Sequence, residues 1–221
     1  MACVDFIGPL HNRTKRDYIA RVVQYDKAAC AKIAKKYGQD YWDGERQYGY
    51  GGYRYDGRWL PIAQAMAAHY GLKPGDRILD VCCGKGFLLH EFTNAVPGVE
   101  IAGIDISDYA VANAKEEVKP ALQVGNAISL PYPDKSFDFV VSLGGLHNLP
   151  IRHLFDAVRE IDRVGKGAKK YIMVESFRNE RERANLLYWQ LTCESFHDVE
   201  NWEWIYEQCG YQGDWGFIFF E

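Results

Sequence analysis

"ILDVCCGKGFLLHEF" (Ile78–Phe92) decides how this chain folds. From Arg77 to Cys82 the residues form a short β-rich run suited to a buried strand. A tight glycine turn follows, and "FLLHEFTNAV" (87–96) then carries apolar residues at helical spacing. Gly84 and Gly86 let backbone approach a ligand where a Cβ would collide. The helix that opens after them presents free N–H groups and a positive dipole end to anything anionic.

The same alternation continues downstream. Strands are expected at 100–107 ("EIAGIDIS"), 121–127 ("ALQVGNA"), 137–144 ("FDFVVSLG") and 169–176 ("KKYIMVES"), with a final one in "GDWGFIFFE". Between them, helical spacing covers 108–118, 151–165, 180–195 and 199–210, the last closed by Gly210. Near-continuous apolar strands alternating with helices predict a doubly wound, Rossmann-like α/β domain with a mostly parallel sheet covered on both faces. Only one convincing strand follows the last helix.

Upstream the pattern is different. Ile19, Val22, Val23, Cys30, Ile33, Ala34 and Tyr37 recur at helical spacing from Thr14 to Tyr37, which predicts one long helix interrupted on its apolar face by Asp26 and ended by Gly38. "LPIAQAMAAHYG" (60–71) reads as a helix with Pro61 in its first turn and Gly71 at its end. "KPGD" (73–76) is a turn. The expected organisation is therefore an N-terminal helical cap with a Tyr/Gly-rich segment over 1–59, followed by one α/β domain over 60–221.

Bulk composition narrows the function classes. The 221 residues are 48% hydrophobic and 25% charged, as in an ordinary globular protein, with a formal charge of −4. That balance argues against holding nucleic acid by bulk electrostatics. No stretch approaches the roughly 20 apolar residues that cross a bilayer. The N-terminal residues lack a signal-peptide pattern. The six cysteines show no CxxC and no zinc-ligand spacing. The expectation is a cytoplasmic protein with reduced thiols, no metal, no membrane and no nucleic-acid partner. The "NRT" sequon at Asn12 then has no route to glycosylation.

A GxG turn alone is a weak signal, but Asp105 strengthens it. It ends the second strand, 21 positions after Gly84, close to where an acid accepts the hydroxyls of an adenosine ribose. The competing reading is that Asp105 helps start the helix near Asp108. In a dinucleotide enzyme the third glycine would fall at Leu89, which speaks against that class.

Taken together, "ILDVCCGKGFLLHEF", "IAGIDIS", "GNAISLPYPDKSFDFVVS" and "LHNL" resemble the class I S-adenosylmethionine-dependent methyltransferases over about residues 60–176. The phrase "LPYPDKSFD" looks like the branch acting on small metabolites. The resemblance implies that Asp80, Gly84 and Gly86 surround the methionyl end of the cofactor. It also implies that Asp105 holds the ribose, Ile106 packs on adenine, Asn126 and Ala127 meet the adenine edge, and Leu143 lies along the cofactor. Two departures stand out. "CCG" (82–84) replaces the usual "GCG", with little expected effect because that position offers backbone. Asn126 replaces an acid, and its amide oxygen still accepts a hydrogen bond.

On the substrate side, "GGLHNLP" (144–150) brings His147 and Asn148 to the carboxyl edge of the sheet, and Glu175 closes a strand there. His147 and Glu175 are the candidate catalytic residues, the histidine as a proton acceptor near neutral pH. Their structural alternatives are a histidine that helps start the next helix and a carboxylate salt-bridged to a nearby arginine. Tyr188 and Trp189 read as core. "ERQYGYGGYRYDGRW" (45–59) has aromatic rings suited to ligand walls and glycines that permit closure. Asp43, Glu45 and Asp56 offset its arginines 46, 54 and 58, so it reads as a lid over a small-molecule site. Tyr48, Tyr50, Tyr53 and Arg58 are its candidate substrate contacts.

The function expected is methyl transfer from S-adenosylmethionine to a nitrogen or oxygen of a small metabolite, with S-adenosylhomocysteine as product. An RNA or protein methyltransferase, a nicotinamide-dependent oxidoreductase and a non-catalytic adenosyl-binding module are the alternatives. A basic groove would favour the first, and NADH binding the second.

Overall fold

The computed structural model describes residues 1–221. Six strands build one sheet: β1 Arg77–Val81, β2 Glu100–Asp105, β3 Leu122–Val124, β4 Phe139–Leu143, β5 Lys170–Glu175 and β6 Asp214–Ile218. Their order is β3-β2-β1-β4-β5-β6, and every neighbouring pair is parallel. The doubly wound reading holds, and "mostly parallel" becomes wholly parallel. The winding reverses between β1 and β4, which opens a crevice at the carboxyl ends of those strands.

Both faces of the central strands are buried, and β1 shows why. Successive strand side chains point to opposite faces. Leu79 and Val81 join the core under α8 (Ile151–Val164) and α10 (Val199–Cys209), where Leu154, Val158, Ile161 and Trp202 are fully buried. Ile78 points the other way, into the core under α5 (Leu60–Tyr70) and α6 (Phe87–Ala95), with Met66, Leu89 and Phe92. In α8 the buried set is Leu154, Ala157, Val158, Ile161 and Val164, the three- and four-residue spacing of a single face.

The N-terminal region departs from expectation. In place of one helix over 14–37 there are α2 (Tyr18–Val23) and α3 (Lys27–Ala34), preceded by α1 (Gly8–His11) and followed by α4 (Gln39–Trp42). Asp26 causes the break: its carboxylate accepts from the backbone N–H groups of Ala28 and Ala29. It is thus the N-cap of α3, worth about 1 kcal/mol to that helix. Three other elements are shorter than expected: α7 spans Asp108–Ala112, β3 three residues, and α9 Glu180–Trp189. Ser107, not Asp105 or Asp108, caps α7 by accepting from Ala110.

The open edge of β6 is covered from the other end of the chain. Cys3 bridges Trp215 in parallel, with Val4 N–H donating to the Trp215 carbonyl and Trp215 N–H to that of Ala2. An unpaired strand edge invites association, and this cover removes that exposure. No helix is long and apolar enough to cross a membrane.

Candidate active site

A cavity of about 470 Å³ opens at the carboxyl ends of β1, β4 and β5. Asp80, Cys82, Gly84, Leu143, Gly144 and Glu175 line its sheet side, and residues from the 41–59 segment line the opposite wall. Its volume falls in the range of about 300–1,000 Å³ usual for small-molecule sites.

The turn after β1 is left-handed at three positions: Cys82 (φ 66°), Gly84 (φ 54°) and Gly86 (φ 72°). Cys82 stands where the resembled family has glycine, and the positive φ gives the physical reason for that glycine. The departure is therefore more than a neutral exchange of side chains on a backbone contact. Gly84 and Gly86 serve different ends. A Cβ on Gly84 would come within 2.8 Å of the Trp42 ring, at the cavity. On Gly86 it would meet Val118 and Leu122, so that glycine seats α6 against the core and does not line the cavity.

Asp80 is buried at the cavity floor, and its carboxyl accepts no hydrogen bond from the chain. Burial, with the Asp105 charge adding to it, pushes this carboxyl well above the usual range. Asp105 is buried too, but it is occupied. One oxygen accepts from Gly84 N–H and the other from Ser107 N–H, both at 2.8 Å. These bonds oppose the upward push of burial on its pKa. Asp105 therefore ties the glycine turn to the start of α7.

The Tyr/Gly segment is ordered over this turn. Trp42 donates from its indole N–H to Ser107 Oγ at 2.9 Å and stacks on Tyr50, with ring centroids 5.2 Å apart. Tyr53 continues the stack onto Phe87 at 4.9 Å. Lys85, inside the glycine turn and 7% exposed, donates to both oxygens of Asp43 and to the Tyr53 carbonyl. Tyr109 donates to the same carboxylate. Trp42, Asp43 and Lys85 were not singled out in the sequence as site residues, because the contacts that join them span 42 residues or more.

Glu175 faces the cavity from the end of β5, and Gln190 donates to its Oε2. Burial raises this carboxyl to about 8, against a smaller downward pull from Arg16. No arginine lies within ion-pair distance of it, so the salt-bridge alternative does not describe its environment. His147 sits behind it. The imidazole is 2% exposed and lines no part of the cavity, and its Nε2 lies 3.6 Å from Glu175 Oε2. Burial drops its pKa to about 3. Both groups are thus pushed toward their neutral forms, and the contact is not an ion pair. Glu175 N–H points at Nδ1, which leaves the imidazole proton on Nε2, toward the carboxyl.

The other expected site residues divide. Tyr50, Tyr53 and Arg58 line the cavity, whereas Tyr48 packs beside Cys30, Ala34 and Leu191. Asn148 is turned toward the Gly144 carbonyl, outside the cavity. Ile106 is exposed at the end of β2, Asn126 is exposed with its side chain closing a turn onto Ile128 N–H, and Ala127 is buried in the core. None of these three borders the cavity. Trp189 does line it, contrary to its reading as core, while Tyr188 is 36% exposed. The offsetting of charges within 43–58 is only partly realised. Asp56 pairs with Arg58, but Asp43 pairs with Lys85 and Arg46 has no carboxylate partner.

Residues 78–167 match the family model described as a methyltransferase domain. A demethylmenaquinone methyltransferase of Bacillus cytotoxicus is 38% identical over 112 residues, covering 48% of this chain and 46% of that protein. One from Symbiobacterium thermophilum is 32% identical over 128 residues, covering 54% and 50%. The chain thus spans about half the length of the curated relatives it matches. The YcgJ protein of Bacillus subtilis superposes with a TM-score of 0.56 at 22% identity, covering 66% of each chain, a likeness of fold.

Proposed function

We propose that this chain, whose residues 78–167 match a methyltransferase-domain model, is a class I S-adenosylmethionine-dependent methyltransferase that transfers a methyl group to a nitrogen or oxygen of a small molecule held between the sheet edge and the 41–59 segment. The observation that carries the reading is the cavity floor. Asp80 is a buried carboxyl with no partner of its own, beside a glycine turn, with Glu175 across the same cavity. A buried carboxyl left without a partner is costly unless a ligand completes it.

The residues present fit the methionyl end of S-adenosylmethionine. Asp80 would meet its ammonium, Gly84 would leave room beside it, and Leu143 would lie along it. Asp105 would reach the ribose only with Trp42 displaced, because that indole now covers the turn. When bound, the cosubstrate supplies a methyl group on a sulfonium, already activated for in-line transfer. The protein's part is alignment and exclusion of water. Segment 41–59 acts as the lid that does this, and 1–59 works as a cap on the domain over 60–221.

Glu175 then receives the proton that the acceptor gives up as the new bond to carbon forms. With a pKa of about 8 it is close to the operating pH, where a general base works best. His147 touches no ligand in this scheme. Its Nε2–H faces Glu175 and positions that carboxyl, in place of the direct base expected from the sequence. The menaquinone precursor named for the relatives belongs to those proteins.

Calorimetry with S-adenosylhomocysteine, alongside NADH, tests the reading. Binding of S-adenosylhomocysteine alone, lost in Asp80→Ala and weakened in Asp105→Ala, is the expected result. NADH binding, or binding of neither, overturns it.

A further inference from the structure

Five arginines line the cavity, and three of them, Arg16, Arg21 and Arg46, gather on one aromatic ring. Their guanidinium carbons lie 5.4, 4.7 and 4.9 Å from the centroid of Trp189. None has a carboxylate within ion-pair distance, whereas Arg58, which also lines the cavity, pairs with Asp56. The two carboxyls that line the cavity, Asp80 and Glu175, pair with none of the three.

Their hydrogen bonds go to neutral groups. Arg16 donates to the carbonyls of His11 and Thr14 and reaches His11 Nδ1, while its Nε is buried with no partner. Arg21 donates from Nε to the Trp189 carbonyl and from Nη1 to the Arg46 carbonyl. Arg46 donates one bond, to the Gly49 carbonyl. Each guanidinium has five donors, so several N–H groups in this cluster remain free. Burial and the charge of Arg46 lower the pKa of both Arg16 and Arg21.

Three like charges held on one indole, Arg16 and Arg21 half-buried and Arg46 exposed, repel one another. The only carboxylate that offsets any of them is Glu175, which acts on Arg16 from beyond ion-pair distance. A fork of guanidinium N–H groups matches the oxygens of a phosphate or carboxylate. We infer that Arg16, Arg21 and Arg46 bind an anionic group of the methyl acceptor, a phosphate or a carboxylate, against the face of Trp189. The inference rests on the methyltransferase reading for the word acceptor, and on the cavity alone for the anion. The acceptor then spans from this cluster to Glu175, which fixes which end of it faces the transferable methyl. Such a molecule is polar at one end, and uncharged homologues are poor substrates.

The test uses the full chain saturated with S-adenosylhomocysteine. Inorganic phosphate and, in a second arm, succinate are titrated calorimetrically at constant ionic strength. The variants are Arg46→Gln, Arg46→Lys and the Arg16→Gln/Arg46→Gln pair. The expected result is millimolar or tighter binding of one anion, weakened at least about tenfold by Arg46→Gln, less by Arg46→Lys, and falling as salt is raised. The arm that binds names the group. Undiminished S-adenosylhomocysteine affinity shows the variants are folded. No anion binding, or equal binding in wild type and the double variant, overturns the inference while leaving the methyltransferase reading intact. Failure of wild type to bind S-adenosylhomocysteine overturns that reading instead, and the phosphate and succinate titrations on the ligand-free chain still decide the anion site.

Discussion

The indole of Trp42 lies where a side chain on Gly84 would begin: a Cβ there would sit 2.8 Å from the ring. The glycine is thus matched to a residue 42 positions earlier, and the indole also donates to Ser107 beyond the end of β2. The same space borders Asp105, whose two oxygens are tied to the backbone of Gly84 and Ser107.

This relationship predicts movement. An adenosyl ligand reaching Asp105 has to displace Trp42, and the indole is then released from its hydrogen bonds to Ser107 and Tyr37. S-adenosylhomocysteine is expected to change the tryptophan fluorescence of the wild type, and most of that change is expected to vanish in Trp42→Phe. An equal change in the variant would place the response at another of the six tryptophans.

Glu175 predicts two opposite pH effects. As the proposed base it works deprotonated, so turnover is expected to rise with pH and level off above about 8. Glu175→Gln lowers kcat by about 100-fold or more with S-adenosylhomocysteine affinity unchanged. Stability runs the other way. The folded pKa lies above the ordinary value of 4.5, so the folded chain holds a proton that the unfolded chain releases. That contribution is complete below about 4.5 and is lost as pH rises through about 8. Urea unfolding at a series of pH values is expected to show this decline in wild type and not in Glu175→Gln.

Lys85 predicts a latch. It is 7% exposed and holds Asp43 and the Tyr53 carbonyl at once. Lys85→Met leaves that carboxylate and carbonyl short of a donor, and is expected to cost about 2 kcal/mol. Limited proteolysis should then cut within 43–58 faster than elsewhere. Cleavage spread evenly over the chain would show that Lys85 supports the domain generally and not this segment.

Cys82 predicts an unusual substitution profile. Its φ of 66° costs an ordinary residue about 1–2 kcal/mol. Cys82→Gly removes the strain but gives the unfolded chain more freedom, worth about 0.5–1 kcal/mol. It should stay within about 1 kcal/mol of wild type. Cys82→Val places a β-branched residue there and is expected to lose about 2 kcal/mol relative to glycine. Equal urea midpoints for the two variants would mean the turn relaxes freely.

By itself, the sequence of residues 60–221 determined the parallel sheet, the helices and the glycine turn. The reason is that these depend on local period, caps and turn chemistry. Leu79 against Ile78, or Gly71 after Tyr70, can be read within a few residues. Four residues named from the sequence line the sheet side of the cavity: Gly84 from the glycine turn, Glu175 from the end of its strand, and Asp80 and Leu143 from the family resemblance alone. Even locally the sequence reading failed at Asp26, where a carboxylate satisfying two backbone N–H groups outweighed the helical spacing around it. The tertiary structure alone decided what meets across the cavity. Arg21 reaches the Trp189 carbonyl over 168 residues, Asp43 turns to Lys85 rather than to the arginines beside it in sequence, and His147 is buried behind Glu175 instead of beside a ligand. Each of those pairings follows from how separate elements pack. Charge and burial act through space, and no residue spacing records them.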